Sequence, residues 1–253
     1  MPSPRKTKAA GKASRALRVL GVLVIALGVL TIALFIVQYN KGVTAGKASD
    51  ALLVAFEATP TPVPTDTPEP TATPDPGPAV TDLAVDEDGE VDETADYVQM
   101  ERPDEEGDVQ ALIQKIIHAE GEDGVIGLIE IPELDVKLPI IGKWSYPLLK
   151  ISICRYSGPL PNEKGNMVLI GHNYKNGSHF GKLDKLKKGA AIFITDTKTS
   201  TRVRYEVYEI KTIAPTDFKA LETFKGPNGL TLLTCINGGN DRQIFRCIQK
   251  DAP

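Results

Sequence analysis

Apolar residues change their spacing several times along this chain, and each change marks an element. From Val19 to Val37 the sequence VLGVLVIALGVLTIALFIV runs nineteen residues without a charge. As a helix at the usual rise this is about 28 Å, close to the roughly 30 Å hydrocarbon core of a bilayer, so the pattern predicts a membrane-spanning helix. A cleaved signal peptide is the competing reading. The apolar core of such leaders is about 7 to 15 residues long, which is shorter, while the small residues TAGKAS after the run would suit a cleavage site.

A helical spacing returns only after residue 107. Val109, Leu112, Ile113, Ile116 and Ile117 fall on one stripe behind Asp108, a residue type suited to an N-cap, and predict a short amphipathic helix that needs a surface to dock on. Beyond it the period shortens to that of strands. VIGLIEI, VKLPII, NMVLIGH, AAIFITD, RVRYEVYEI, LTLLTC and QIFRCI are separated by Gly, Pro, Asn and Asp turns, and ISICRYS is strand-like as well. That many short strands in about 145 residues predict an all-β domain, a closed barrel or a sandwich. KLDKLKK, between two of the runs, reads as a solvated helical turn.

Composition separates the two patterned regions. From Thr59 to Pro78, TPTPVPTDTPEPTATPDPGP places proline every two to four residues, which excludes helix and sheet and favours an extended polyproline chain. Residues 82–108 then carry thirteen acids against Arg102 alone, too few apolar groups and too much like charge to fold. The expected organisation is a cytoplasmic tail and membrane helix over residues 1–40, a disordered extracellular spacer over 41–107, and a folded domain over 108–253. Six bases and no acid lie in residues 1–18, so the positive-inside bias puts the amino terminus in the cytoplasm and the domain outside the cell. The overall charge of -4 averages unlike regions and implies no nucleic-acid partner. Neither standard glycine-rich phosphate loop is present.

Chemistry enters with three cysteines and three histidines. An odd number of cysteines in an exported domain leaves at least one thiol unpaired, a candidate for reactivity. Cys154 and Cys247 sit inside strand-like runs and read as buried thiols, with a disulfide between them left open. Cys235 instead ends its run, at the lip of a glycine-rich turn in LTLLTCINGGNDRQIFRC. An ordinary thiol is only a few per cent thiolate at neutral pH and needs a base or cation beside it. His118 reads as a surface residue of the amphipathic helix, and His179, in NYKNGSHFG, as solvent exposed. His172 closes its strand as Cys235 does, which would let the two meet at one rim.

NMVLIGHN, FGKLDKLKKGAAIFI, LTLLTC and DRQIFR, in that order, resemble the sortases, membrane-anchored cysteine transpeptidases of Gram-positive cell surfaces. The resemblance spans roughly residues 124 to 250. It implies a closed eight-stranded β-barrel with short peripheral helices, Cys235 as nucleophile, His172 as acid and base, and Arg242 as the third catalytic group. Thr234 matches the threonine that precedes the nucleophile. Arg246, four residues on, points to the same strand face as Arg242; the family's placement of its arginine at the strand entrance favours Arg242. GHNYKNGSHF and the preceding helix are similar to class B, whereas Leu233 stands where class B commonly has Ser, so the class stays open.

The activity so implied is cleavage of a sorting-signal peptide bond in secreted proteins through a thioacyl intermediate, with transfer to an amine of a peptidoglycan precursor or a pilin. It needs no cofactor and no metal, and a monomer suffices. Two other readings fit an anchored, stalked domain: a non-catalytic adhesin or scaffold, and a cell-wall thiol hydrolase. An L,D-transpeptidase would carry Ser and His just before a Gly-Cys, a cluster absent from LTLLTCING.

Overall fold

Eight strands, whose successive side chains point to opposite faces, make one sheet that closes on itself. The computed structural model describes residues 8–58 and 106–250, and among these the strands are β1 (Val125–Ile131), β2 (Val136–Ile141), β3 (Ile153–Ser157), β4 (Gly165–Ile170), β5 (Ala191–Asp196), β6 (Arg202–Ile213), β7 (Asn228–Ile236) and β8 (Asp241–Lys250). They form a closed barrel in the order β1-β2-β3-β4-β7-β8-β6-β5. Of the two architectures left open by strand count, the barrel is the one adopted. Ile129 and Ile131, Leu138 and Ile140, Ile192 and Ile194, Leu230 and Leu232, Phe245 and Cys247 repeat at period two and fill its interior.

Helices cover the outer face in two places. α1 (Lys8–Ala58), α2 (Glu106–Ile117) and α3 (Tyr146–Ile151) enclose Ala48, Leu52, Ile113, Ile116, Leu149 and Ile151 with Ile141 and Cys154 of the sheet. α4 (Lys219–Glu222) brings Ala220 and Leu221 onto Val168, Ile213, Leu233 and Ile244. The predicted α2 stripe is the docked face: Ile113 and Ile116 are buried, and Val109, Leu112 and Ile117 pack around them. α2 begins at Glu106, so Asp108 lies in its first turn and is not the N-cap.

The larger correction concerns residues 41–58, expected to open a disordered spacer. They continue α1 without a break, and Gly42, Ala45, Ala48, Ser49 and Leu52 form a buried stripe against the barrel. The small residues that resembled a leader's cleavage region are what allows the approach: a Cβ on Gly46 would stand 2.6 Å from the Ser178 hydroxyl. Ser49 Oγ lies 3.2 Å from Ser152 Oγ, and Lys137 pairs with Glu57 at 2.7 Å. The apolar stretch before this stripe is exposed along its length, and α1 is the one described helix long and apolar enough to cross a membrane. The Pro-rich run and most of the acidic run, residues 59–105, lie outside the described residues.

Leu52 is fully buried in the α1–α2–α3 cluster, so Leu52→Ala is expected to destabilise the fold by about 2–5 kcal/mol through lost burial and the cavity left behind. Thermal unfolding read by circular dichroism measures this. An unchanged midpoint would mean that α1 is not docked.

Candidate active site

Parallel pairing of β4 with β7 places the candidate residues. Ile170 is the Cα partner of Leu233, and the register continues past the end of β4: the Gly171 amide donates to the Leu233 carbonyl at 3.2 Å, and Thr234 Oγ1 donates to the Gly171 carbonyl at 2.7 Å. One residue further, Asn173 Nδ2 donates to the Cys235 carbonyl at 3.2 Å. His172 is therefore held on both sides by bonds to the residues flanking and including Cys235. Gly171 is needed here, because a Cβ would lie 2.8 Å from both Ile153 and Phe180.

On the other side of Cys235 the antiparallel register makes Arg242 its direct Cα partner. The seven-residue separation in sequence closes because Asn237, Gly238 and Gly239 all take positive φ, at 54°, 73° and 103°, which folds the turn tightly back. Asn237 Nδ2 donates to Asp241 Oδ2 at 2.6 Å and Asn240 Nδ2 to the Asn237 carbonyl at 3.0 Å. Arg242 Nη1 donates to the Gly239 carbonyl at 2.5 Å, which anchors the guanidinium beside the turn. Arg242, Cys235 and His172 thus lie in one row across β8, β7 and the extension of β4, each half-buried.

The row sits on the outer barrel face. Leu230 and Leu232 point inside, so Leu233 and Cys235 point out, in line with Ile244, Ile170 and Tyr156. Trp144 packs on Tyr156 with ring centroids 5.5 Å apart and on Tyr146 at 6.0 Å, giving an aromatic wall beside the arginine. Burial raises the Tyr156 phenol, against the pull of the Arg242 charge. Burial and then the nearby Lys150 ammonium lower His172, so its imidazole is neutral at neutral pH, the form that can accept a proton.

The other candidates separate cleanly. Arg246 shares a strand face with Arg242 but is buried, donating to Glu209 Oε2 at 2.5 Å and to the Ala220 carbonyl at 2.6 Å; it ties β8 to β6 and α4. Cys154 and Cys247 are fully buried free thiols in different clusters, so they form no disulfide, and desolvation raises both. His118 is exposed and donates from Nδ1 to the Gln114 carbonyl at 2.7 Å. Leu183 and Leu186 of KLDKLKK point into the core, leaving that turn only partly solvated.

His179 was expected to be solvent exposed and is 2 % exposed. The docked half of α1 covers it: its Nε2 donates to the Ala45 carbonyl at 3.3 Å, and its ring meets Tyr174 edge-on at 5.2 Å, with Tyr174 in turn 5.2 Å from His172. Sequence reasoning missed Asn173, Tyr174, Tyr156 and Lys150. Only Asn173, next to His172 in GHN, offered a positional hint. Among the described residues no group of three or more His, Cys, Asp or Glu is placed to hold a metal.

Burial lowers His179 to about 4, with the His172 charge as the second cause. Its folded value lies below the unfolded one near 6.5, so its contribution to stability is intact above that pH and is lost as pH falls toward 4. The loss is about 3 kcal/mol at most. His179→Gln, which keeps a donor for Ala45, is expected to flatten the decline of denaturation midpoint between pH 6.5 and 4; an unaltered decline would assign the acid sensitivity elsewhere.

The sortase domain family model matches residues 129–249, from β1 to β8. Sortase A of Listeria monocytogenes is 32% identical over 115 residues, which are 45% of this chain and 50% of that protein, so the chain spans about half the length of the curated relative it matches. Among solved structures, the chain is similar to a Clostridium perfringens sortase D5 transpeptidase, with 27% identity and TM-score 0.47 over 55% of this chain and 86% of that one. It is also similar to Streptococcus agalactiae sortase C1, with 26% identity and TM-score 0.48 over 53% and 73%. His172, Cys235 and Arg242 all fall inside residues 129–249, the segment that matches the sortase domain model.

Proposed function

We propose that this chain is a membrane-anchored cysteine transpeptidase acting outside the cell on secreted proteins that carry a C-terminal sorting signal. The observation that supports it best is the row Arg242, Cys235, His172, aligned by two strand registers on a face lined with apolar and aromatic side chains. An extended peptide laid along that face presents a carbonyl to Cys235. Neutral His172 takes the thiol proton and the thiolate attacks, forming the C–S bond; Arg242, its guanidinium oriented by Gly239, stabilises the developing oxyanion with its other N–H groups. His172 returns the proton to the leaving amine as the C–N bond breaks.

The thioacyl enzyme is then attacked by an acceptor amine, whose nitrogen forms the new C–N bond while sulfur leaves and His172 removes the extra proton. The acceptor is an amine of a peptidoglycan precursor or a pilin. Thr234 acts as a strut between the histidine loop and β7, not as a donor toward substrate, since its hydroxyl is committed to Gly171. Six bases ahead of the apolar run orient the amino terminus toward the cytoplasm.

Incubation of the full chain in detergent with a library of sorting-type peptides and a small amine, followed by mass spectrometry, tests the proposal. The expected product is the amino-terminal peptide fragment joined to the amine. Hydrolysed fragments alone would favour a thiol hydrolase, and untouched peptides a non-catalytic surface protein.

A further inference from the structure

A spacer of some 67 residues between membrane and barrel would let the active site roam on the order of 200 Å from the bilayer. The folded arrangement removes that reach. Gly42, five residues beyond the apolar run that ends at Val37, already packs against Asn176, and five residues of helix cover about 7.5 Å. Contacts then climb the helix in order: Ala45 with His179, Gly46 with Ser178, Ser49 with Ser152, and Glu57 with Lys137. The loop that follows His172 is therefore the part of the barrel nearest the span, and Lys137 is farther from it.

That loop also belongs to the active-site rim. Asn173, bonded to the Cys235 carbonyl, is three residues from Asn176, a chain reach of at most about 11 Å. With side-chain lengths added, Cys235 lies within about 20 Å of Gly42, hence within about 30 Å of the end of the apolar run. Exposed Lys41 and Lys175 lie at the same end, where acidic lipid headgroups would meet them. The segment 59–105 does not lengthen this path. It leaves from the end of α1 and returns at the start of α2, and Ala48 and Leu52 of α1 pack with Ile113 and Ile116 of α2 in one cluster.

We propose that α1 clamps the barrel directly onto the membrane surface with the Cys235–His172 rim toward an anionic lipid face, so that the enzyme works on peptides presented close to the bilayer and the Pro-rich segment is an excursion, not a stalk. This rests on reading Val19–Val37 as a membrane span, and for its substrates on the activity proposed above. The test uses the full chain in phosphatidylcholine–phosphatidylglycerol vesicles, with a maleimide donor dye on Cys235, the one cysteine that is not fully buried, and an acceptor dye on lipid headgroups. Energy transfer is expected to be strong, to stay unchanged when residues 59–105 are duplicated, and to fall when a flexible Gly-Ser stretch is inserted between Tyr39 and Lys41. Transfer that falls on duplicating 59–105, or a chain that fails to float with the vesicles, would overturn the proposal.

A second measurement guards against misfolding of the insertion variant. In vesicles, Ser49→Cys with Ser152→Cys is expected to oxidise to an internal cross-link, because the two hydroxyls are 3.2 Å apart. Absence of that cross-link in a chain with native circular dichroism would show that α1 is undocked and would sink the idea. Neither readout involves turnover, so a failure of the transpeptidase reading leaves both results interpretable.

Discussion

Cys235→Ala is expected to abolish turnover, leaving peptide consumption at the level of a chain-free control, whereas Cys154→Ala and Cys247→Ala keep most of the activity of whatever fraction folds. The contrast follows from position. Cys235 stands half-exposed at the end of β7 between Arg242 and the His172 loop. Cys154 and Cys247 are 0 % exposed, and burial raises both thiols, so neither supplies thiolate near neutral pH. Their replacement removes buried volume and lowers the unfolding midpoint without touching the chemistry. Product formation by mass spectrometry at matched folded concentration separates the two effects. Activity surviving in Cys235→Ala would place the nucleophile elsewhere.

The second large effect divides the arginines. Arg242→Ala and His172→Ala are each expected to lower kcat/KM by roughly 10² or more, the scale of losing an oxyanion donor or an acid and base. Arg246→Ala instead acts on the fold: it strands Glu209 and the Ala220 carbonyl, and loss of a hydrogen bond to a charged group costs about 2 kcal/mol. Glu209 is held below the usual carboxylate range by its bond to Arg246. Kinetics and thermal unfolding measured on the same samples read the split. Equal rate losses at the two arginines, with equal stability, would mean that Arg242 is not the group beside the reaction.

Strand content was legible because short apolar, β-favouring runs are bounded by Gly, Pro, Asn and Asp turns: β1 and β2 match VIGLIEI and VKLPII end to end. α3 and α4, six and four residues long, are too short for helical spacing to show. Cys235 and His172 were legible as strand ends, and the resemblance added Arg242. That the two could share one rim was legible from those strand ends; the parallel β4–β7 pairing that aligns them, between strands more than sixty residues apart, was not. α1 was misread beyond residue 40 because Gly, Ala and Ser have low hydrophobicity, although small residues are what a close helix-to-barrel contact requires. The error at His179 has the same origin: its polar loop looks solvated until the docked helix covers it.

Cys235 is proposed to carry the acyl group between donor and acceptor. Intact-mass spectrometry of the full chain, quenched in acid after exposure to an intact sorting peptide that the chain cleaves, with the amine acceptor withheld, tests it directly. One added mass equal to the amino-terminal peptide fragment is expected, localised to Cys235 by fragmentation and discharged when amine is added. An adduct on Cys154 or Cys247, or turnover with no acyl adduct at any cysteine, would contradict it.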